Sequence, residues 1–254
     1  MKKIAIFLLA LFFTSCGSGN SDLKITSVRK DFKKTFGNCE TGACMEFTVV
    51  YDSLVSANAN VQPINKFIKD KFFENFPEAS KPSNINEFYE LTKKDFAEFI
   101  AENPDYRNSW RYDNKMTMEC FCNPVVSLKY DNYEFTGGAH GNETVAYYNF
   151  KFKNGKPVLL KNVFSKEEQE AIIKEIKKGL HKKFKIKDSM TLKEGGLWGE
   201  FVKSNKFNDN FKISEKGLTF IFNQYEIAPY SEGMIEIFVP FKNLPKSVYE
   251  KLFK

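Results

Sequence analysis

The residues of this chain that could do chemistry are few, and the first group lies in NYEFTGGAHGNETVAYYNF, residues 132–150. Here Gly137, Gly138 and Gly141 crowd around His140, one of two histidines in the chain. A histidine acting as a general base needs a carboxylate partner within about 3 Å and something to activate. Glu143 is the nearest carboxylate in sequence. The glycines have a simpler use: a turn between two strands requires positive φ or a close backbone approach. Exposed N–H groups in such a turn can also meet a sugar hydroxyl or a carboxylate. The turn reading is preferred, ligand contact comes second and catalysis third. Neither an HExxH helix nor a GxSxG elbow is present. The second histidine, His181 in GLHKKF, suits the negative end of a helix dipole. No catalytic residue, no metal site and no cofactor is therefore assigned. A further candidate is YEIAPYSEG, where Tyr225 and Tyr230 either buttress a strand end, the preferred reading, or stack on sugar rings.

The cysteines depend on the compartment, which the N-terminus indicates. MKK, the apolar run IAIFLLALFF and TSC ending on Cys16 form the pattern of a bacterial lipoprotein signal, residues 1–15, with Cys16 as the lipidated residue. Phe13 stands where a leucine is usual. The run is short for a bilayer span, and residues 16–23 suit a flexible tether. The expected location is the cell envelope, anchored by lipid to a membrane and facing the periplasm or exterior. Outside the cytoplasm Cys39, Cys44, Cys120 and Cys122 make an even set suited to disulfides. GNCETGAC places Cys39 and Cys44 about a hairpin turn. In MTMECFC the residues Met116, Met118, Cys120 and Cys122 alternate on one strand face. On a straight strand Cys120 and Cys122 stand about 6.6 Å apart, near the limit for bridging. That favours bonds from the hairpin to the strand, in either pairing. A Cu(I) site on four sulfurs is the weaker alternative, because oxidised cysteines do not ligate.

The elements that must position these residues alternate. Two strand-like segments bracket the cysteine hairpin, and two amphipathic helices follow, over NVQPINKFIKDKFFENF and SNINEFYELTKKDFAEFIAEN. Three β-like segments come next. Ser165 and Glu168 then form a capping box that opens the helix SKEEQEAIIKEIKKGLHKKF, and short strands close the chain. The expectation is an α+β fold: antiparallel sheets with helices packed on one face, in two closely associated subdomains, 24–155 and 156–254.

Composition narrows the partners. The chain has 254 residues and a formal charge of +6; loss of residues 1–15 takes Lys2 and Lys3, leaving 36 basic against 32 acidic. The lysines are scattered and neighbour acids, as on solvated helix faces, so no nucleic-acid partner is expected.

YEFTGGAHGN, NGKPVLLKNVFS and FKISEKGLTFIFNQYEIAPYSEGMIEIFVPFKNL occur in that order. In these blocks, roughly residues 40 to 245, the chain resembles a paired module of bacterial envelope proteins. That module forms the extracellular sensor part of a lysozyme-sensing anti-sigma factor and precedes the catalytic domain of some peptidoglycan deacetylases. The elements that carry the resemblance are Gly137, Gly138, His140 and Gly141, and the block from Tyr225 to Tyr230 with Gly233. It implies an α+β fold and a role at the cell wall. The expected function is a non-enzymatic, lipid-anchored binding module for a lysozyme-type protein or peptidoglycan. The alternatives are an accessory or structural envelope lipoprotein, and a cell-wall glycan hydrolase or deacetylase using His140.

Overall fold

A computed structural model describes residues 24–57, 59–206 and 208–254, together with the backbone of Ala10–Leu11. Cys16, the tether and the rest of the leader expected over residues 1–15 lie outside the described residues. The fold is α+β, in agreement with the sequence pattern.

Among the described residues, ten strands form two sheets. The larger sheet runs in chain order from β1 to β7. The two residues of β1 (Ala10–Leu11) pair antiparallel with β2 (Thr26–Gly37). β2 in turn pairs antiparallel with β3 (Cys44–Val55), from Thr26 opposite Val55 to Gly37 opposite Cys44. Helices α1 (Gln62–Lys71) and α2 (Ile85–Glu102) follow, and β4 (Ser109–Cys122) then pairs parallel with β3, Cys44 opposite Ser109 and Tyr51 opposite Met116. A parallel neighbour needs a long crossover, and the two helices supply it. This one parallel pair departs from the purely antiparallel expectation. β5 (Val125–Phe135), β6 (Asn142–Lys151) and β7 (Lys156–Pro157) complete the sheet.

Next come α3 (Leu160–Val163), α4 (Lys166–Phe184) and α5 (Gly199–Ser204). The second sheet has the order β10-β9-β8, built from β8 (Phe211–Ser214), β9 (Gly217–Phe222) and β10 (Ile235–Pro240). α6 (Lys246–Phe253) ends the fold.

The chain divides into two compact units, one of residues 24–117 and 130–144, the other of 118–129 and 145–254. The boundaries fall inside β4, β5 and β6, strands of 14, 11 and 10 residues.

The first unit is held by an aromatic core. Phe47 of β3 lies edge-on to Phe88 and Tyr89 of α2, with ring centroids 4.9 and 5.6 Å apart, and Phe96 meets Trp110 at 5.2 Å. Along β4 the alternation is plain: Trp110, Asn114 and Met116 are buried, whereas Arg111, Asp113 and Lys115 occupy the other face. Buried Asn114 accepts hydrogen bonds from Tyr130 Oη at 2.7 Å and Asn132 Nδ2 at 2.8 Å, so its carbonyl is satisfied.

The second unit packs Ile172, Ile176 and Leu180 of α4 with Phe211, Phe220, Ile237, Val248 and Leu252. Each such side chain contributes roughly 1.5–3 kcal/mol on full burial. The capping box of α4 is present in both directions: the Glu168 N–H donates to Ser165 Oγ, and the Ser165 N–H donates to the Glu168 carboxylate. Glu168 is itself buried and also receives Ser247 and Lys251, which fastens α6 to the start of α4.

The cysteines pair locally. Cys39 bonds to Cys44, with Cα atoms 5.0 Å apart, and Cys120 bonds to Cys122, with Cα atoms 5.7 Å apart. This corrects the expectation of hairpin-to-strand bonds. The error lay in treating β4 as straight to its end. Cys122 is the last residue of β4, and the 5.7 Å Cα separation from Cys120 is shorter than the straight-strand value.

Candidate functional site

The GGAHG segment joins β5 to β6 as a turn. Gly137 and Gly138 have φ of +111° and +95°, a conformation in which side chains with a Cβ are strained. At Gly141 the reason is contact instead: an added Cβ would lie 2.5 Å from the ring of Tyr133. His140 is exposed, and its Nδ1 lies 3.1 Å from the carbonyl of Gly141, a contact within the loop. Glu143 lines a polar depression of about 340 Å³ together with Arg111, Asp113, Lys115, Asp131, Asn132 and Tyr133. His140 is not among the residues lining that depression, so the structure does not join it to Glu143 there. Asp113 Oδ2 accepts from Lys115 at 3.0 Å and Arg111 at 3.4 Å, and the Arg111 guanidinium stands 5.6 Å from the Tyr133 ring centroid. Within the depression both cations are thus paired with Asp113.

The second candidate lies in the other unit. Tyr225 is 57% exposed and has φ of +64°, an uncommon conformation for a residue with a side chain. Its ring lies 5.6 Å from that of Tyr230, the two planes inclined by 36°. Sequence reasoning missed their neighbour. Trp198 is 41% exposed, and its indole Nε1–H donates to the carbonyl of Tyr225 at 3.2 Å. The Trp198 backbone N–H donates to Ile227 at 3.1 Å. Gly199, with φ of +85°, permits this seat, since a Cβ there would lie 2.0 Å from the Glu226 carbonyl oxygen. Beneath the aromatics, burial pushes the Glu226 carboxyl above its ordinary range, opposed by hydrogen bonds from the Asn223 N–H at 2.8 Å and Asn208 Nδ2 at 2.6 Å. The patch therefore holds three aromatic rings on a backbone fixed by hydrogen bonds and close glycine packing. The signal that could have found Trp198 is GGLWGE, a tryptophan flanked by glycines outside any amphipathic pattern.

Among the described residues, no three His, Cys, Asp or Glu side chains are grouped to hold a metal ion. No described helix is long and apolar enough to cross a membrane.

Two family models match, in separate segments. Residues 39–143 match one described as "Deacetylase PdaC", and residues 161–242 match "Protein of unknown function (DUF3298)". The two matches follow one another along the chain. The GGAHG turn lies at the end of the first segment, and the Trp198, Tyr225 and Tyr230 patch lies within the second. Two solved structures share the fold. A DUF3298 family member from Bacteroides fragilis has a TM-score of 0.60 at 17% identity, covering 87% of this chain and 91% of its own. A DUF3298 family protein from Pseudomonas aeruginosa PAO1 has a TM-score of 0.62 at 16% identity, covering 91% and 98%. No curated protein sequence matches the chain.

Proposed function

We propose that this chain is a cell-envelope binding module, lipid-anchored through Cys16, that recognises a lysozyme-type protein or a peptidoglycan fragment. The observation that carries the reading is the aromatic patch of exposed Trp198 and Tyr225 with half-buried Tyr230 beside them. Aromatic faces pack against the apolar faces of sugar rings, and at protein interfaces Trp and Tyr supply much of the binding energy. The patch is pre-organised: the Trp198 indole N–H donates to the Tyr225 carbonyl, and its backbone N–H donates to the Ile227 carbonyl. Little side-chain entropy remains to be lost on binding. The resemblance to envelope sensor modules and the local disulfides, at home outside the cytoplasm, support the same reading.

Calorimetric titration of the chain with lysozyme, and in parallel with purified muropeptides, tests it. Saturable binding is expected to one of the two. Trp198→Ala should weaken that binding by about 1–3 kcal/mol, roughly tenfold or more. No heat with either titrant overturns the reading and leaves an accessory envelope lipoprotein in its place.

A further inference from the structure

A concavity with a distinct chemistry lies far along the chain from the GGAHG turn, on α4. It is a groove of about 790 Å³ whose lining includes five lysines against two carboxylates, Glu170 and Asp188. Lys174, Lys177, Lys178, His181, Lys182 and Lys185 recur at helical spacing, so the cations form a stripe on one face, roughly 16 Å long at 1.5 Å per residue. Lys178 is tied to Glu175, whose field also reaches Lys174. Lys177, Lys182 and Lys185 make no ion pair among the described residues. The usual lysine-rich helix face in this chain is different: on α1 and α2, Lys66, Lys93 and Lys94 each meet an acid three or four residues away.

Two further features distinguish the groove from a merely solvated face. The imidazole of His181 lines it, and its Nδ1 is buried without a hydrogen-bond partner. A buried ring nitrogen in that state is costly unless something else satisfies it. Ile173 and Ile186 add apolar lining beside the cations. Ammonium groups are compact, strongly hydrated point charges, well suited to phosphate oxygens. Gathered in one concavity they repel each other and raise the local concentration of anions.

We propose that this groove binds a phosphate group attached to an apolar moiety. Lys177, Lys182 and Lys185 hold the phosphate oxygens, the His181 imidazole adds a hydrogen bond, and Ile173 and Ile186 accept the apolar part. The phosphate belongs either to a lipid headgroup or to a soluble phosphorylated compound. This site is separate from the aromatic patch and does not depend on the function proposed for it.

The chain supplies its own reporter, because it has two histidines and only His181 lies in the groove. Imidazole resonances of the full chain are followed by NMR during titration with inorganic pyrophosphate. In parallel, the chain is sedimented with vesicles of phosphatidylglycerol in phosphatidylcholine, and with phosphatidylcholine alone. The double variant Lys177→Gln/Lys182→Gln is compared with Lys183→Gln, which removes a neighbouring charge outside the groove. Saturable movement of the His181 signals, with His140 still, and a loss of roughly tenfold or more in the double variant only, supports a soluble phosphate ligand. A still His181 with pyrophosphate, but excess binding to the phosphatidylglycerol vesicles that the double variant alone loses, supports a lipid headgroup. Binding to neither probe, equal movement of both histidines, or equal binding by all variants overturns the proposal.

Discussion

A Cβ placed on Gly199 would lie 2.0 Å from the carbonyl oxygen of Glu226, closer than any packing tolerates, and the residue sits at φ of +85°. Both effects act against Gly199→Ala, and the obstacle is backbone, which cannot rotate aside. The substitution should lower stability by about 2–4 kcal/mol, read as a fall in Tm by calorimetry. It should also loosen the seat of Trp198, changing the emission of that exposed indole while buried Trp110 stays unchanged. A second substitution tests the turn: Gly141→Ala meets only the Tyr133 ring, which can shift, so a smaller loss of about 1–2 kcal/mol is expected from the same scan. At this scale the sequence was half legible. Glycines around His140 announced a turn because positive φ is a local requirement. Trp198 stayed hidden because its importance comes from Tyr225 and Ile227, partners some thirty residues away.

Helix α4 shows what local pattern can and cannot reveal. Ser165 and Glu168 were recognisable as a capping box from spacing alone, and the helix begins where they place it. That the Glu168 carboxylate also anchors α6 through Ser247 and Lys251 was not, since those partners are 79 and 83 residues away. Desolvation raises the pKa of this carboxyl, but bonds from Lys251, Ser247 and the Ser165 N–H outweigh it and hold the value below the ordinary carboxylate range. A group with a depressed folded-state pKa stabilises the fold above its unfolded pKa, about 4.3. That stability is lost as pH falls through the lower folded value. Lys251→Ala should cost about 1–3 kcal/mol at pH 7, less than a fully buried pair because the Lys251 side chain is 40% exposed. Denaturant titrations from pH 7 downward should show the difference from the parent chain shrinking once the carboxyl protonates. The disulfides teach the complementary lesson. Spacing on an idealised straight strand disfavoured a bond between Cys120 and Cys122, yet their Cα atoms stand 5.7 Å apart and the bond closes. Tryptic mapping without reduction should find each pair within a single peptide, two hydrogens lighter than its reduced form. A peptide joining the two pairs would contradict the observed connectivity.

For the whole molecule, the α+β class was legible because hydrophobic period distinguishes strand from helix. The path of the chain was not: strands that run through both units, and one parallel neighbour, are set by pairings between distant segments. Function at this scale turns on how the two candidate sites respond to separate changes. His140 is exposed, its ring nitrogen engages a carbonyl of its own loop, and Glu143 belongs to a depression that His140 does not line. A binding module built on the aromatic patch should therefore tolerate His140→Ala, with affinity for lysozyme or muropeptide changed less than about threefold and Tm little altered. The same titration with a Trp198→Ala/Tyr225→Ala double variant should lose roughly a hundredfold, because both rings belong to one patch. A glycan hydrolase or deacetylase working through His140 reverses the pattern. Loss of a general base removes on the order of 10²–10⁴ in rate, while loss of distant aromatics acts mainly through substrate affinity. Assaying release of reducing ends and acetate from peptidoglycan by the parent chain and both variants separates the two. Turnover by the parent that disappears only in His140→Ala would replace the binding function with an enzymatic one. Saturable binding without turnover, sensitive only to the aromatic pair, is the result this structure leads us to expect.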